Sequence, residues 1–110
     1  MSERLLSFLG IARRAGRVSC GHDAAIGAVV KNKAHLCLCC ADASERLKNE
    51  MKHSCTFEGK DIPFFILGMT SPELSKAIGT KAAVITIDDE GFAKKLISLI
   101  AEDKSTTGKE

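Results

Sequence analysis

The residues best placed to do chemistry lie in one run, Arg13-Arg14-Ala15-Gly16-Arg17-Val18-Ser19-Cys20-Gly21-His22-Asp23. Gly16 closes an amphipathic helix, a short extended piece follows, and Gly21 opens the next helix. A helix start carries unpaired backbone N–H groups and a partial positive charge. A glycine-led start flanked by arginines therefore suits a phosphate-bearing ligand. The same run also fits an ordinary strand-to-helix turn beside solvated arginines, so the rest of the chain must decide.

Other constellations offer less. Cys37, Cys39 and Cys40 sit in a continuous apolar run. Alternation along a strand sends Cys37 and Cys39 to one face and Cys40 to the other, which suits core packing rather than a converging metal site. His22, His35 and His53 have no ligand-like spacing, and Cys20 with His22 matches no nucleophile–base signature. Asp88-Asp89-Glu90 could attract a divalent cation, but acidic residues in a first helical turn are explained by capping. No Walker loop and no G-x-G-x-x-G is present. The chain has no Trp or Tyr, and its Phe residues fall in apolar runs, which argues against an aromatic base-stacking platform. These residues support no enzyme, cofactor or metal.

Composition bounds the rest. One hundred and ten residues, 45% of them hydrophobic, make one domain with a real core. The net charge of +2 is unevenly spread. Residues 1–40 hold Arg4, Arg13, Arg14, Arg17, Lys31 and Lys33 against Glu3 and Asp23, a balance of +4, and residues 41–110 carry −2. A polyanion would meet the first third of the chain. No secretory leader or membrane-length apolar segment is evident, so a cytoplasmic protein with free thiols is expected, its five cysteines being an odd count.

The elements that must position these residues follow from periodicity. Leu5, Phe8, Leu9 and Ala12 recur at helical spacing up to Gly16. Arg17–Cys20 makes at most a brief strand, and Ile26, Val29 and Val30 share a face of a second helix ending near Lys31. The run 35–41 reads as a strand covered on both faces. Asp42-Ala43-Ser44-Glu45 resembles a capping box, with Asp42 as acceptor, before a helix striped by Leu47, Met51 and Cys55. Pro63 belongs at the start or edge of a strand over 62–67. Ser71 and Pro72 start a short helix that Gly79 ends. A strand over 82–87 and a helix with Phe92, Leu96, Leu99 and Ile100 inward complete the domain, leaving 101–110 as a polar tail expected to fray. Alternation of this kind predicts an α/β layered domain, with helices on both faces of a four-stranded sheet.

Several strings together resemble the ribosomal L-seven-Ae family, which also includes the L-thirty-e and Gadd-type proteins. They are Leu9-Gly10-Ile11-Ala12-Arg13-Arg14-Ala15-Gly16-Arg17-Val18, Ser19-Cys20-Gly21, Cys40-Ala41-Asp42-Ala43-Ser44, Pro63-Phe64-Phe65, Glu73-Leu74-Ser75-Lys76-Ala77-Ile78-Gly79, and Asp88 with Glu90-Gly91-Phe92-Ala93-Lys94. Within that family the chain is most similar to the small bacterial YlxQ-type members. The resemblance implies one domain over residues 1–100, a three-layer α/β/α sandwich with a mixed sheet. It also implies a monomer that binds structured RNA, ribosomal RNA included.

In the family's RNA-binding members the second helix enters the RNA by its N-terminus, and the loop before the last strand packs against an extruded nucleotide. Those regions correspond to Gly21–Lys31 and to Ile78-Gly79-Thr80-Lys81-Ala82. Arg13, Arg14, Arg17, Gly21, His22, Asp23 and Lys31, with Gly79, Thr80 and Lys81, are therefore the expected RNA-contacting residues. Where the family's RNA readers carry Asn-Glu or Lys-Gln and then a lysine, this chain has Asp23, Ala24 and Gly27. The alternative expectation is a protein–protein interaction module that keeps the scaffold without kink-turn recognition.

Overall fold

The computed structural model describes residues 3–102. Helix α1 (Glu3–Arg14), strand β1 (Val18–Cys20), helix α2 (His22–Val30) and strand β2 (Leu36–Cys40) form the first part of the chain. Helix α3 (Glu45–Thr56) runs into a single 3-10 turn at Phe57–Gly59. Strand β3 (Phe64–Leu67), helix α4 (Ser71–Ile78), strand β4 (Val84–Ile87) and helix α5 (Glu90–Glu102) follow. Residues 101 and 102 are thus helical, and the remainder of the expected tail lies outside the described residues.

The sheet order is β1-β4-β2-β3, with β4 antiparallel to both its neighbours and β2 parallel to β3. The sheet is therefore mixed, as expected. Every residue of β2 is buried, because helices cover both faces. Leu36, Leu38 and Cys40 join Ile85 and Ile87 under α1, α4 and α5, around Leu5, Leu9, Leu74 and Leu96. Cys37, Cys39 and Val84 point the other way, onto Ala25, Val29, Met51 and Cys55 of α2 and α3. Each fully buried Leu, Ile or Met contributes about 1.5–3 kcal/mol of transfer free energy. Pro63 stands just before β3, an edge strand, so its missing N–H costs no ladder bond.

Three local expectations are corrected. The N-cap of α3 is Ser44, whose hydroxyl accepts from Leu47 N–H at 3.0 Å. Asp42 instead reaches across to α4, where its Oδ1 accepts from both Ser71 N–H and Ser71 Oγ–H at 2.9 Å. The cap of α4 is Thr70 rather than Ser71, because only Thr70 can complete a reciprocal capping box with Glu73. On α2 the buried stripe is Ala25, Ala28 and Val29, and Val30 points outward.

Candidate nucleic-acid interface

Antiparallel pairing of β1 with β4 brings the end of β1 to the start of β4, with Cys20 opposite Ile85. One residue further on, the Gly21 amide donates to the Val84 carbonyl at 2.9 Å. This bond ties the start of α2 to the first residue of β4. Gly21 makes the junction at φ 93°, ψ 166°, a backbone conformation that residues with a Cβ rarely adopt. Gly21 makes no side-chain cap for α2, so the first amides gain no partner from the N-cap residue.

The turn before β4 is itself fixed at both ends. Gly79 ends α4 in the left-handed conformation, donating its amide to Ser75 O at 2.8 Å. Ser75 Oγ then accepts from Ala82 N–H at 3.2 Å, clamping Thr80 and Lys81 between. An open groove of about 460 Å3 lies alongside, lined by Ser71, Pro72, Ser75, Lys81, Ala82 and Ala83. Pro72 and Ser75 were not among the expected contacts, because their place on the groove depends on how α4 packs.

Electrostatically this end is mixed rather than basic. His22 Nε2 pairs with Glu50 Oε2 of α3 at 2.9 Å, and His22 Nδ1 lies 3.6 Å from Asp23 Oδ1. Asp23 is fully exposed. Glu50 is an element of the site that sequence reading missed, because nothing local pairs residues 22 and 50.

The expected site residues do not form one cluster. The Gly21–Val84 bond ties the start of α2 to the first residue of β4, three places after Lys81. Arg13 reaches this end from α1: its guanidinium hydrogen-bonds the Cys20 thiol, and its Nε is buried without a partner. Arg14 lies along its own helix, with Nη1 3.4 Å from where a Cβ on Gly10 would stand. Arg17, exposed, accepts from Asp88 N–H beyond the opposite end of β4. Lys31 caps the far end of α2. The structure therefore separates Arg17 and Lys31 from the α2 start.

The cysteines are core residues. Cys37, Cys39, Cys40 and Cys55 are buried, and Cys20 is half-buried. Hydrogen bonds from Cys39 and Cys55, together with burial, push the Cys37 thiol well above its ordinary value. Burial pushes Cys40 up to about 11. Among the described residues no group of three or more His, Cys, Asp or Glu could hold a metal ion. Asp89 Oδ2 accepts from Phe92 N–H at 2.9 Å as a helix cap, and Asp88 accepts from Ser19 and Thr86. No helix among the described residues is long and apolar enough to cross a membrane.

Comparison with known proteins accords with this architecture. The profile of the ribosomal protein L7Ae/L30e/S12e/Gadd45 family matches residues 3–97. The RNA-binding protein YlxQ of Enterococcus faecium is 32% identical over 98 residues, spanning 89% of this chain and 92% of that protein. The RNA-binding protein YlxQ of Bacillus subtilis (strain 168) is 33% identical over 93 residues, spanning 84% and 90%. A protein of unknown function from Bacillus halodurans C superposes with a TM-score of 0.82 at 31% identity, covering 91% of this chain and 99% of its own. The Giardia lamblia 15.5kD RNA binding protein shares the fold alone, at 18% identity and a TM-score of 0.70 over 93% and 92%. With its profile matched along nearly the whole described chain and two curated relatives above 30% identity, this chain belongs to the ribosomal protein L7Ae/L30e/S12e/Gadd45 family.

Proposed function

We propose that this protein binds structured RNA, through the start of α2 and the turn before β4. The observation that carries the reading is the Gly21–Val84 bond, which ties the uncapped start of α2 to the strand that follows the Lys81 turn. Membership of the family and the printed names of its YlxQ relatives support it. In this reading the α2 amides and Lys81 hold phosphate, while the groove takes an extruded nucleotide. Arg13 adds positive charge one residue from Gly21, and Arg14, Arg17 and Lys31 act as outlying phosphate contacts. His22 is oriented by Glu50. With Asp23, Ala24 and Gly27 in place of base-reading groups, phosphate contacts dominate over base recognition.

The test is a titration of structured RNAs, ribosomal RNA fragments among them, across a salt series. Each phosphate contact adds about 0.7–0.9 to the log–log slope. Lys81→Ala is expected to weaken all structured RNAs alike and to flatten the slope by about that amount. Absence of binding to any of them at low salt refutes the proposal. One observation favours the second reading, a protein-binding module: two carboxylates, Asp23 and Glu50, flank the α2 start and suit a basic protein partner.

A further inference from the structure

At the far end of α2 a second groove of about 260 Å3 opens between two helices. Val29 and Val30 line it from α2, His53, Ser54 and Phe57 from α3 and the turn after it, and Glu58 and Lys60 complete it. Val30 is 64% exposed and Phe57 52%, so apolar surface meets solvent here without a covering element. The Phe57 and His53 rings lie 5.3 Å apart at 43°, forming an exposed aromatic pair. Phe57 is therefore an exception to the reading that the Phe residues fall in apolar runs.

Charge surrounds this aromatic pair asymmetrically. Lys60 Nζ donates to Asn32 Oδ1 at 3.1 Å, which ties the chain after α3 to the turn that ends α2. Lys31 and Lys33 flank Asn32, and both are exposed. Glu58 and Lys60 balance each other within the lining, and of the neighbouring charges Lys31 and Lys33 stand against Asp61, leaving a small excess of cations at this end of α2. An exposed ring in an apolar slot, edged by cations, is complementary to a nucleotide. The base stacks on the ring, and the phosphates meet the lysines. An apolar protein helix would fill the slot but leave the lysines without counter-charge.

We propose that this groove binds a base of single-stranded RNA, stacked on Phe57 and His53, with the adjoining phosphates on Lys31, Lys33 and Lys60. The proposal rests on the RNA-binding reading above and extends it. The axis of α2 from His22 to Val30 spans about 12 Å at ~1.5 Å per residue. A stacked strand rising about 3.4 Å per nucleotide covers that span in three or four nucleotides. One RNA strand can therefore leave the α2 start and reach this groove.

The test is an NMR-monitored titration of the full chain, first with a uridine hexamer and then with the tightest-binding structured RNA. The Val29 and Val30 methyl and Phe57 ring signals are expected to move with the hexamer. Phe57→Ala should weaken its affinity about tenfold, whereas Phe57→Tyr, which keeps the ring, should bind as the wild type does. Phe57 is half exposed, so both variants are expected to fold. Hexamer affinity unchanged in Phe57→Ala overturns the proposal. So do groove signals that move with neither RNA. If structured RNA still binds and Lys81→Ala still weakens it while the groove stays silent, only this inference falls. If no signal anywhere responds to either RNA, both readings fall together.

Discussion

Rebuilding the residue types of the family's RNA readers on α2 gives the sharpest test of why this chain departs from them. The variant is Asp23→Asn, Ala24→Glu and Gly27→Lys. Gly27 lies inside α2, and a Cβ built there meets nothing within 4 Å. Lysine at that position is expected to add up to ~1 kcal/mol of stability through helix propensity alone. Asp23→Asn removes a carboxylate from the first turn of α2, costing about 0.3–1 kcal/mol, and Ala24→Glu restores one in the same turn. These two changes nearly cancel, so the variant should melt at or a few degrees above the wild type. Its binding should change far more. Two restored base contacts at ~1–3 kcal/mol each correspond to a gain of at least about 30-fold for a kink-turn RNA. The assay is a titration of that RNA at fixed salt with both proteins, beside their thermal melts. Wild-type binding within a few-fold of the variant would refute the reasoning, since His22 and Asp23 would then read the RNA by another route. A well-folded variant with no gain would refute it differently, showing that the surface around Gly21 has diverged as a whole.

Other consequences can be checked separately. A Cβ on Gly10 would stand 3.0 Å from the Ala77 carbonyl, so Gly10→Ala must push α1 off α4 and should destabilise by about 1–3 kcal/mol in denaturant melts, opposite in sign to Gly27→Ala. Thr70→Ala breaks the reciprocal box with Glu73 and should cost about 1 kcal/mol; an unchanged melt would show that Pro72 alone sets the start of α4. In native thiol titration Cys20 should react first and the four buried cysteines slowly, whereas rapid modification of three or more would contradict the packing. Burial raises the Cys40 pKa from 9.0 to about 11, so the native state holds this proton more tightly than the unfolded chain does. Its contribution is complete below pH 9 and lost as pH rises through 11. Denaturant midpoints should fall across that window, and fall less in Cys40→Ala.

The layered architecture was legible because its signals are local: the unbroken apolar run at Leu36–Cys40, the stripes of α1 and α5, and the glycine ending α4 each mark an element by itself. Capping was less legible. Asp42 and Ser44 both suit an N-cap, and Asp42 is taken instead by Ser71, a contact across 29 residues that local spacing cannot reveal. Ile26, Val29 and Val30 share a helical face as plausibly as Ala25, Ala28 and Val29. The bulkier set invited the wrong orientation at Val30, whereas the small alanines let α2 lie close on the sheet. At the candidate site the α2 start and the Lys81 turn were both foreseen, but Glu50, Pro72 and Ser75 were not, since each enters through helix packing. The basic third of the chain was correctly counted, yet the strand direction of β1 sends Arg17 to one end of the sheet and Gly21 to the other.

The Gly21–Val84 bond also has a consequence in time. Protein chains emerge from synthesis N-terminus first, and pairings between distant segments form last. The start of α2 is made early, but its partner carbonyl belongs to the final strand, and β1 has no other neighbour in the sheet. A nascent chain therefore carries the start of α2 before it owns the pairing that positions it. Until Val84 has been translated and has folded back, the junction at Gly21 lacks the partner that holds it against the sheet.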